Sequence, residues 1–405
     1  MIILVLNCGS SSIKYQVFDM KNEENENRIL AKGLIERIGL PIGRIVHKPE
    51  GKEKVEFNDP VQNHVTGIHK ILELLVSPEH GILKSFDEIS AVGHRVVHGG
   101  EHFTTSTVIN AEVEQKIEEY IELAPLHNPA NLNGIRAIRQ ILPDVVQVAC
   151  FDTSFHQTMP QHSYLYTLPY DYYAKQKIRR YGFHGQSHKF VSSKACKKLG
   201  LDIATQKIIT CHLGNGSSIT AVHNGKSIDT TMGFTPLEGL MMGTRCGDID
   251  PGIILYLLQA KNLSVEKITT LLNKESGLQG VSGVSSDMRD LGKAAESGNE
   301  YAKLALDMFM YRVLKYIGAY AAAMNGVDII VFTGGIGEND FAVRETVSKQ
   351  LQYLGVDFDS EANHGLRGVD FKELTKPESK VKVVVAATDE ELVIATDTKN
   401  ILESL

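Results

Sequence analysis

The stretch LNCGSSSIKYQVF (residues 6–18) decides the fold, because a related stretch returns in the second half of the chain. LGNGSSITAV (213–222) repeats its order, with a small polar turn of glycine and serine, an isoleucine and a strand-like alternation. Each turn opens a half of the chain in which strand patterns alternate with helix patterns, as in α/β proteins. We interpret the repetition as a duplicated domain; two unrelated Gly/Ser turns are the alternative.

Length and composition limit the classes of protein that fit. A chain of 405 residues exceeds the usual size of one hydrophobic core, which predicts two domains. A net charge of −7 argues against general nucleic-acid binding, since that function needs a basic face. Apolar runs stay below the ~18 residues of a membrane span, and MIILVLN (1–7) fits a buried strand. The five cysteines include no C-x-x-C pair, which predicts reduced thiols in a cytoplasmic protein.

Hydrophobic periodicity and turn residues predict the main elements. Helix patterns lie at 64–76, 111–123, 290–325 and from 341 onward. Strand patterns lie at 2–6, 13–18, 89–100, 145–155, 207–229 (with a hairpin turn at Asn224-Gly225), 327–339 and 381–391. The continuous apolar run VVQVACF (145–151) indicates a strand buried on both faces.

The two common phosphate-binding fingerprints are missing. GKS at 225–227 lacks the upstream glycine of a P-loop, because position 220 is threonine, and no G-x-G-x-x-G follows a strand. What remains is a set of Gly/Ser-containing segments whose backbone N–H groups can line an anion-binding concavity. Together they predict a nucleotide cleft, whereas each one alone is typical of a simple connection. These segments are 7–12, 213–218, 284–290 and 333–339.

Two histidine pairs at i, i+4 raise the possibility of a metal site. His94 and His98 form one pair and His184 and His188 the other, but neither pair carries the glutamate of H-E-x-x-H. The first pair is expected to continue a strand. We therefore favour histidines that donate hydrogen bonds to an anion over histidines that bind zinc.

Arginines and acids at the ends of apolar segments are candidates for chemistry. Arg95 and Arg245 both lie close to glycines, and the planar guanidinium suits carboxylate and phosphate oxygens. A surface ion pair is the alternative for either one. Asp152 and Glu390 follow strand patterns and can supply oxygen ligands for magnesium.

A series of motifs, in order over essentially the whole chain, resembles the acetate kinase family. The motifs are NCGSSSIKY (7–15), GHRVVHGG (93–100), PLHNP (125–129), FDTSFH (151–156), YGFHGQSH (181–188), CHLGNGSS (211–218), GFTPLEGLMMGTRCGDID (233–250), GGIGEN (334–339) and TDEEL (388–392). The family is similar to the sugar kinase, heat-shock chaperone and actin superfamily. The resemblance implies two duplicated α/β domains of ribonuclease-H-like, actin-like ATPase type, with a nucleotide cleft between them, and a homodimer.

The resemblance also implies domain bounds and site residues. The acyl-substrate domain would comprise 1–152 with 391–405, and the nucleotide domain 153–390. Catalytic roles fall on Asp152, His184, Arg245 and Arg95, and the metal site on Asn7 and Glu390. Nucleotide contacts fall on Ser10, Ser12, Lys14, His212, Leu213, Gly214, Asn215, Gly216, Asp287, Met288, Arg289, Gly335, Ile336, Gly337, Glu338 and Asn339. The pocket for the acyl methyl falls on Val97, Leu126, Phe183 and Pro236, with Arg95 holding the substrate.

The implied reaction is reversible transfer of the γ-phosphoryl group of ATP to acetate, giving acetyl phosphate and ADP, with Mg²⁺ (or Mn²⁺) as the metal. Acetate is already ionised at neutral pH, so we expect Asp152 to orient an arginine or a metal-bound water rather than remove a proton. Two positions depart from the family pattern: Cys8 replaces an alanine, and Asp389 replaces an asparagine beside the metal glutamate, which adds an acid there. Propionate or butyrate kinase is the near alternative, and a noncatalytic nucleotide-binding module is the distant one.

Overall fold

The computed structural model describes residues 1–21 and 27–405. The strands in these residues are β1 Ile2–Cys8, β2 Ser12–Asp19, β3 Arg28–Glu36, β4 Gly43–Pro49, β5 Val55–Asp59, β6 Ile89–Val96, β7 Thr107–Val108, β8 Val146–Phe151, β9 Lys207–His212, β10 Ser218–His223, β11 Lys226–Thr230, β12 Ile329–Thr333, β13 Phe371–Glu373 and β14 Lys382–Ala386.

The α-helices in the same residues follow in chain order. They are α1 His64–Val76, α2 Ala111–Glu119, α3 Asn128–Ile141, α4 Gln161–Tyr164, α5 Tyr170–Gln176, α6 Gly185–Leu199, α7 Pro251–Ala260, α8 Val265–Lys274, α9 Gly277–Ser282, α10 Met288–Glu296, α11 Glu300–Ala323, α12 Gly334–Asn339, α13 Phe341–Ser348, α14 Ser360–Asn363 and α15 Glu390–Ser404.

The chain folds into two compact units. The N-terminal unit comprises Met1–Ser154 and Asp389–Leu405, and the C-terminal unit comprises Phe155–Thr388. The bounds implied by the resemblance differ from these by two residues at each boundary. Glu390 falls in the N-terminal unit because it is the first residue of α15, which packs against β1, β6 and β8.

The sheet of the N-terminal unit has the order β5-β4-β3-β2-β1-β6-β8-β7. β1 pairs with β2 in the antiparallel sense and with β6 in the parallel sense, and β6 is parallel to β8. Successive residues of β1 point to opposite faces: Leu4 and Leu6 join the core under α1 and α3, whereas Ile3 and Val5 join the core under α15. Both faces are therefore covered, which explains the nearly continuous apolar strands.

The sheet of the C-terminal unit has the order β11-β10-β9-β12-β14-β13. β9 pairs with β10 in the antiparallel sense and with β12 in the parallel sense, and β12 is parallel to β14. The order β11-β10-β9-β12-β14 thus repeats the order β3-β2-β1-β6-β8, with the same strand directions. Each Gly/Ser turn joins the first two strands of its unit, which agrees with the duplication.

Several predicted elements are wrong in extent. The strand patterns at 145–155 and 381–391 end at Phe151 and Ala386, and the helix pattern at 111–123 ends at Glu119. The helix pattern at 290–325 is two helices, α10 and α11, because Ser297–Asn299 breaks it and Asn299 caps α11 by accepting from the Ala302 amide. The strand at 327–339 ends at Thr333, and the following GGIGEN forms α12. The strand at 89–100 ends at Val96, so His98 lies in the turn that follows it rather than on the strand.

Candidate active site

Arg95 and Asp152 form the polar centre of the N-terminal unit. Arg95 lies on β6 and Asp152 directly follows β8, so the carboxyl ends of two paired parallel strands bring them together. Two bonds join the side chains: Nε of Arg95 donates to Oδ1 of Asp152 at 2.9 Å, and Nη2 donates to Oδ2 at 2.6 Å. Glu390 lies farther away, with Oε2 at 3.9 Å from Nε of Arg95.

This bidentate pair is almost withdrawn from solvent. The side chain of Asp152 is 3 % exposed and that of Arg95 is 21 % exposed. Burial by itself lowers the pKa of Arg95, but the carboxylates of Asp152 and Glu390 outweigh it and the pKa is raised. Asp152 therefore fixes the orientation of the arginine, which is the geometry that an orienting role requires.

The other site residues predicted in the N-terminal unit differ in their exposure to solvent. Asn7 pairs in register with Lys14 across the β1–β2 ladder, and Lys14 is exposed. The Val97 side chain is buried, and its amide donates to Oδ1 of Asn131 at 3.1 Å. Leu126 is 68 % exposed, so within this structure it does not line an enclosed pocket. Ser10 is exposed and Ser12 half-buried at the ends of the first turn.

The two departures from the family pattern have simple structural roles. Burial raises the pKa of the Cys8 thiol to about 12, so it is an inert apolar group. Oδ1 of Asp389 accepts a hydrogen bond from the Leu392 amide at 2.9 Å and caps α15. Since asparagine and aspartate cap helices about equally well, this position tolerates either residue.

In the C-terminal unit, His184, Arg245 and the second Gly/Ser turn come together. A Cβ built on Gly216 would lie 3.5 Å from Nη1 of Arg245 and 3.5 Å from Cε1 of His184. His184 has a left-handed backbone (φ 55°) at the N-cap of α6, and its ring stacks on that of His212 with 4.3 Å between centroids. Left-handed residues other than glycine cluster at functional sites, where surrounding contacts hold them.

Arg245 has electrostatic surroundings opposite to those of Arg95. Its Nη1 donates to the carbonyl oxygen of Pro236 at 3.1 Å and contacts Sδ of Met242 at 3.7 Å. Within residues 1–21 and 27–405, no carboxylate pairs with it. Burial lowers the pKa of Arg245, which means that the fold disfavours its charge. A negatively charged neighbour would reduce this penalty.

A network of hydroxyls and imidazoles supports His184. Oγ of Ser218 is 2.9 Å from Nδ1 of His184 and 2.7 Å from Nε2 of His188, and Nδ1 of His188 is 2.7 Å from Oγ1 of Thr210. Because a hydroxyl donates only one proton, at least one of the two rings donates to Ser218. Burial, together with His156 and His212, lowers the pKa of His188 well below its usual value, so this ring is neutral.

Ring nitrogens of His188 and His94 are engaged by hydrogen bonds within the protein. Both ring nitrogens of His188 bond to hydroxyl oxygens, and Nε2 of His94 bonds to Oε1 of Gln147 at 2.9 Å. In the part of the chain that is described, no three histidines, cysteines or acids are grouped to hold a metal. Ser218 ends the predicted segment 213–218 but was given no role of its own, and Asn131 was not predicted. Ser218 stands two residues beyond the predicted Gly216, and Asn131 is a polar residue on the buried face of α3.

The residues predicted to contact the nucleotide fall into two groups. The loop of Leu213–Gly216 meets the 333–339 segment, since the amides of Ile336 and Gly337 donate to the Leu213 carbonyl. Oε1 of Glu338, however, accepts from the amides of Gly334 and Thr388, and the side-chain amide of Asn339 bonds to Gly335 and Gly368. These two side chains shape the loop and are committed to it.

Asp287 and Arg289 are also engaged with each other. Oδ1 of Asp287 caps α10, and both carboxylate oxygens bond to the Arg289 guanidinium at 3.0 and 2.6 Å. The Arg289 side chain and backbone amide lower the pKa of Asp287 to about 2. The Arg289 side chain is 80 % exposed, so the ion pair lies at the surface. Met288 is buried beneath it.

Three comparisons with known proteins match this chain over nearly its full length. The acetokinase family model matches residues 2–396. The acetate kinase of Pseudothermotoga lettingae is 54% identical over 402 residues, which cover 99% of this chain and 98% of the relative. The crystal structure of Porphyromonas gingivalis acetate kinase aligns with a TM-score of 0.95 at 52% identity and covers 99% of both chains. A propionate kinase structure from Francisella tularensis aligns with a TM-score of 0.90 at 43% identity, again over 99% of both chains. The chain belongs to the acetokinase family.

Proposed function

We propose that this protein is an acetate kinase that transfers the γ-phosphoryl group of ATP directly to acetate. A carboxylate oxygen attacks phosphorus, the bond to the bridging oxygen of ADP breaks, and acetyl phosphate and ADP leave. One observation carries the proposal beyond family membership: Arg245 is a half-buried guanidinium without a carboxylate partner in the described chain, beside His184 and Gly216. A structural ion pair does not explain such a group, whereas a transferring phosphoryl group does.

Arg245 and His184 would act on the migrating phosphoryl group. Charge spreads over its equatorial oxygens in the transition state, and positioned cations and N–H donors stabilise that charge. The bond between Ser218 and Nδ1 of His184 holds the ring, and the stacking of His212 restricts its rotation. The turn at Leu213–Gly216 lies within reach of both groups and is proposed to contact the nucleotide phosphates, together with segments 287–289 and 335–337.

Arg95 would bind the carboxylate of acetate. Two of its guanidinium nitrogens are taken by Asp152, which sets its plane and leaves Nη1 for the substrate. Asp152 has no catalytic proton to accept, because a simple carboxylic acid with a pKa of about 4 is ionised at neutral pH. We therefore propose that Asp152 orients Arg95.

The donors proposed for magnesium fit the ion. Glu390 offers a carboxylate that is 19 % exposed and Asn7 an amide oxygen, and Mg²⁺ is commonly held by one or two such groups with waters and substrate phosphates. When bound, the ion would neutralise charge on the nucleotide phosphates. Mn²⁺ takes similar oxygen ligands. One carboxylate oxygen of Asp389 caps α15, so that position acts first as a helix cap.

We propose acetate as the acyl substrate, with Val97, Phe183 and Pro236 confining its methyl group. Val97 and Phe183 are buried and Pro236 is half-buried. The proposal for Leu126 is weaker because that side chain is largely exposed. Pocket volume separates acetate from propionate, since one methylene in an apolar pocket is worth about 1–3 kcal/mol.

We also propose a homodimer, for which α7 provides the support. This helix reads PGIILYLLQA, and none of its residues is buried. Ile253, Leu255 and Tyr256 are 46 %, 57 % and 54 % exposed, and a contiguous apolar helix face of this kind is typical of a protein interface. A second copy of the same helix is the proposed partner. A charge placed at Leu255 (Leu255→Glu) should shift the sedimentation coefficient to that of a monomer.

A cytoplasmic location is part of the same proposal. All five cysteines are free thiols, and four of them are buried. In the residues described, no helix combines the length and apolar character needed to cross a bilayer.

Hydroxylamine trapping tests the reaction. The enzyme is incubated with ATP, magnesium and acetate, propionate or butyrate, and acyl phosphate is trapped as its hydroxamate. We expect the highest kcat/KM with acetate and no product without ATP. A higher kcat/KM with propionate would assign the near alternative. ATP binding without any acyl phosphate would assign the noncatalytic module and remove the proposal.

A further inference from the structure

The segment 231–250 between β11 and α7 carries Arg245 but contains no helix or strand. Long irregular segments inside compact units are commonly functional, and they need specific contacts to hold one conformation. Two acids of this segment, Glu238 and Asp248, are engaged by groups from outside it. They stand on either side of Arg245 in the sequence, and neither has a role in the function proposed above.

Glu238 is held by two side chains of the C-terminal unit. Nη2 of Arg180 donates to its Oε1 at 2.6 Å, and the Tyr166 hydroxyl donates to its Oε2. Arg180 also donates through Nη1 to the carbonyl oxygens of Thr230 at 2.7 Å and Thr231 at 3.0 Å. One guanidinium thus joins the end of β11 to Glu238.

The cluster of Tyr166, Glu238 and Arg180 also holds the backbone around Pro236. The amide of Phe234 donates to the Tyr166 hydroxyl oxygen at 2.8 Å, so Tyr166 bonds to both ends of the short run 234–238. Pro236 lies between these anchors. Its carbonyl oxygen is the hydrogen-bond acceptor of Arg245 Nη1. The orientation of Arg245 therefore depends on where the Tyr166–Glu238–Arg180 cluster places one carbonyl group.

Asp248 fixes the other side of the segment. Its Oδ1 accepts from the Gly239 amide at 2.8 Å, its own amide donates to the Gly239 carbonyl at 2.9 Å, and the Tyr316 hydroxyl donates to Oδ2. The chain from Gly239 to Asp248 is thus closed into a loop whose base is pinned to α11. Arg245 lies within this loop.

We propose that Glu238 is a positioning residue for Arg245. Held by Arg180 and Tyr166, it fixes the Pro236 carbonyl, which aims the Arg245 guanidinium without placing a carboxylate on it. A neutral carbonyl preserves the attraction of Arg245 for an incoming anion, whereas a direct carboxylate would neutralise that charge. The inference rests on the proposed phosphoryl transfer, in which Arg245 contacts the migrating group.

Glu238→Gln tests the inference, because glutamine keeps the shape of the side chain and loses its charge. We expect kcat to fall about tenfold to a hundredfold, the cost of losing one hydrogen bond to a charged group, with KM for acetate within about twofold. Glu373→Gln is the matched control. Glu373 is 33 % exposed and pairs with Lys382 at 2.9 Å, as Glu238 is 31 % exposed and pairs with Arg180, but it lies on β13 away from Arg245. Its kcat should stay unchanged.

The double variant separates positioning from general stabilisation. If Glu238 acts through Arg245, then Glu238→Gln should have little further effect on kcat in an Arg245→Ala background. Equal fold-losses in both backgrounds, or an unchanged kcat in folded Glu238→Gln, would overturn the inference. Tyr166→Phe provides a second route should Glu238→Gln fold poorly: it should lower kcat in the same direction by a smaller factor, and an unchanged value would also overturn it. Absence of acyl phosphate with the unmodified enzyme would instead refute the proposed function, so the two failures differ.

Discussion

Arg95 lies on β6 of the N-terminal unit and Arg245 in the irregular segment 231–250 of the C-terminal unit, and their surroundings differ. Arg95 makes two hydrogen bonds to Asp152 and lies 3.9 Å from Glu390, whereas Arg245 bonds to one carbonyl oxygen and contacts one thioether. The pKa shifts follow the same division: acids raise the pKa of Arg95 despite its burial, and burial lowers the pKa of Arg245.

The difference in partners shows how one protein can place two arginines in different electrostatic environments. An arginine that is fixed by a carboxylate gains a defined plane and loses part of its net charge, which suits a small ground-state carboxylate. An arginine without an acid partner keeps its full charge for a group whose charge develops in the transition state. Stability should therefore respond differently to the removal of each arginine.

Replacing each arginine by alanine should have the largest effects. Both variants should lose about 10²–10³ in turnover, since each removes a charge-assisted contact in a site with little water. Their stabilities should separate: Arg95→Ala leaves Asp152 buried without its partner and should cost about 3–5 kcal/mol, whereas Arg245→Ala should change stability by less than about 1 kcal/mol. Hydroxamate assays and thermal unfolding of both variants measure the two effects. Equal stability losses would contradict the comparison, and near-normal turnover in either folded variant would remove that arginine from the mechanism.

The variant Asp152→Asn tests the orientation of Arg95 while Arg95 itself is retained. If Asp152 orients Arg95, kcat/KM should fall about tenfold to a hundredfold, because one charged partner of a hydrogen-bonded pair becomes neutral. The pH profile of turnover should keep its shape, and the residual activity should respond to magnesium concentration. A basic limb that is present in the unmodified enzyme and absent from the variant would show proton transfer by Asp152 instead.

Val97→Ala tests whether the strand that carries Arg95 also leads into the acyl pocket. Removing two methyl groups should make room for one methylene, so the ratio of kcat/KM for propionate to that for acetate should rise a few-fold to about a hundredfold. The gain should appear mainly in KM if only uniform binding changes. Both ratios are measured at saturating ATP and magnesium. An unchanged ratio would mean that Val97 does not line the pocket.

Titration of His94, the neighbour of Arg95 on β6, should have the smallest effect. That effect should appear only in the stability of the fold. Burial lowers its pKa to about 4, although the bond to Gln147 raises it slightly, whereas an unfolded histidine has a pKa of about 6.5. Between these values the unfolded chain binds a proton that the folded chain does not, so stability falls as the pH falls below about 6.5. At pH 5.5 this contribution is about 1 kcal/mol, or about 1–2 °C in Tm for a chain of this length.

The matched comparison is the drop in Tm from pH 7.5 to pH 5.5 in the unmodified protein and in His94→Gln. Glutamine at position 94 keeps a donor for Gln147 but does not titrate in this range. The drop should be smaller in the variant by about 1–2 °C. His188, which is also held neutral, should contribute part of the drop that remains. An identical drop in both proteins would show that His94 is not the responsible group.

Much of the fold was predictable from the sequence because local patterns encode it. Asn63 caps α1 by accepting from the Thr66 amide, and the spacing of Ile68, Ile71, Leu72 and Leu75 places one apolar face on the sheet, so that helix was predicted with its observed bounds. The hairpin at Asn224-Gly225 has the positive φ angles, 54° and 75°, that this residue pair favours. The GGIGEN segment was not predicted as a helix because six residues rich in glycine give no helical signal.

The residues of the candidate site were only partly predictable from local sequence patterns. Glycines beside Arg95 and Arg245 marked both arginines, and the family motifs gave them roles. Their electrostatic difference was not visible, since GHRVV and GTRCG carry the same local signals. Glu238 and Asp248, the nearest acids on either side of Arg245 in the sequence, would have been its natural partners by proximity. Both are engaged elsewhere in the structure, by Arg180 and by Tyr316.

By itself the sequence determined the duplicated hairpins, the strands covered on both faces and the set of polar residues at their ends. These follow from side-chain period, apolar length and glycine placement, which act over a few residues. Only the tertiary structure decided which charges meet. Arg95 and Asp152 stand 57 positions apart and meet because parallel strands β6 and β8 end at one edge of a sheet, and Glu238 meets Arg180 across 58 positions. Ion pairing depends on distance and burial, and neither is encoded in the residues beside a charge.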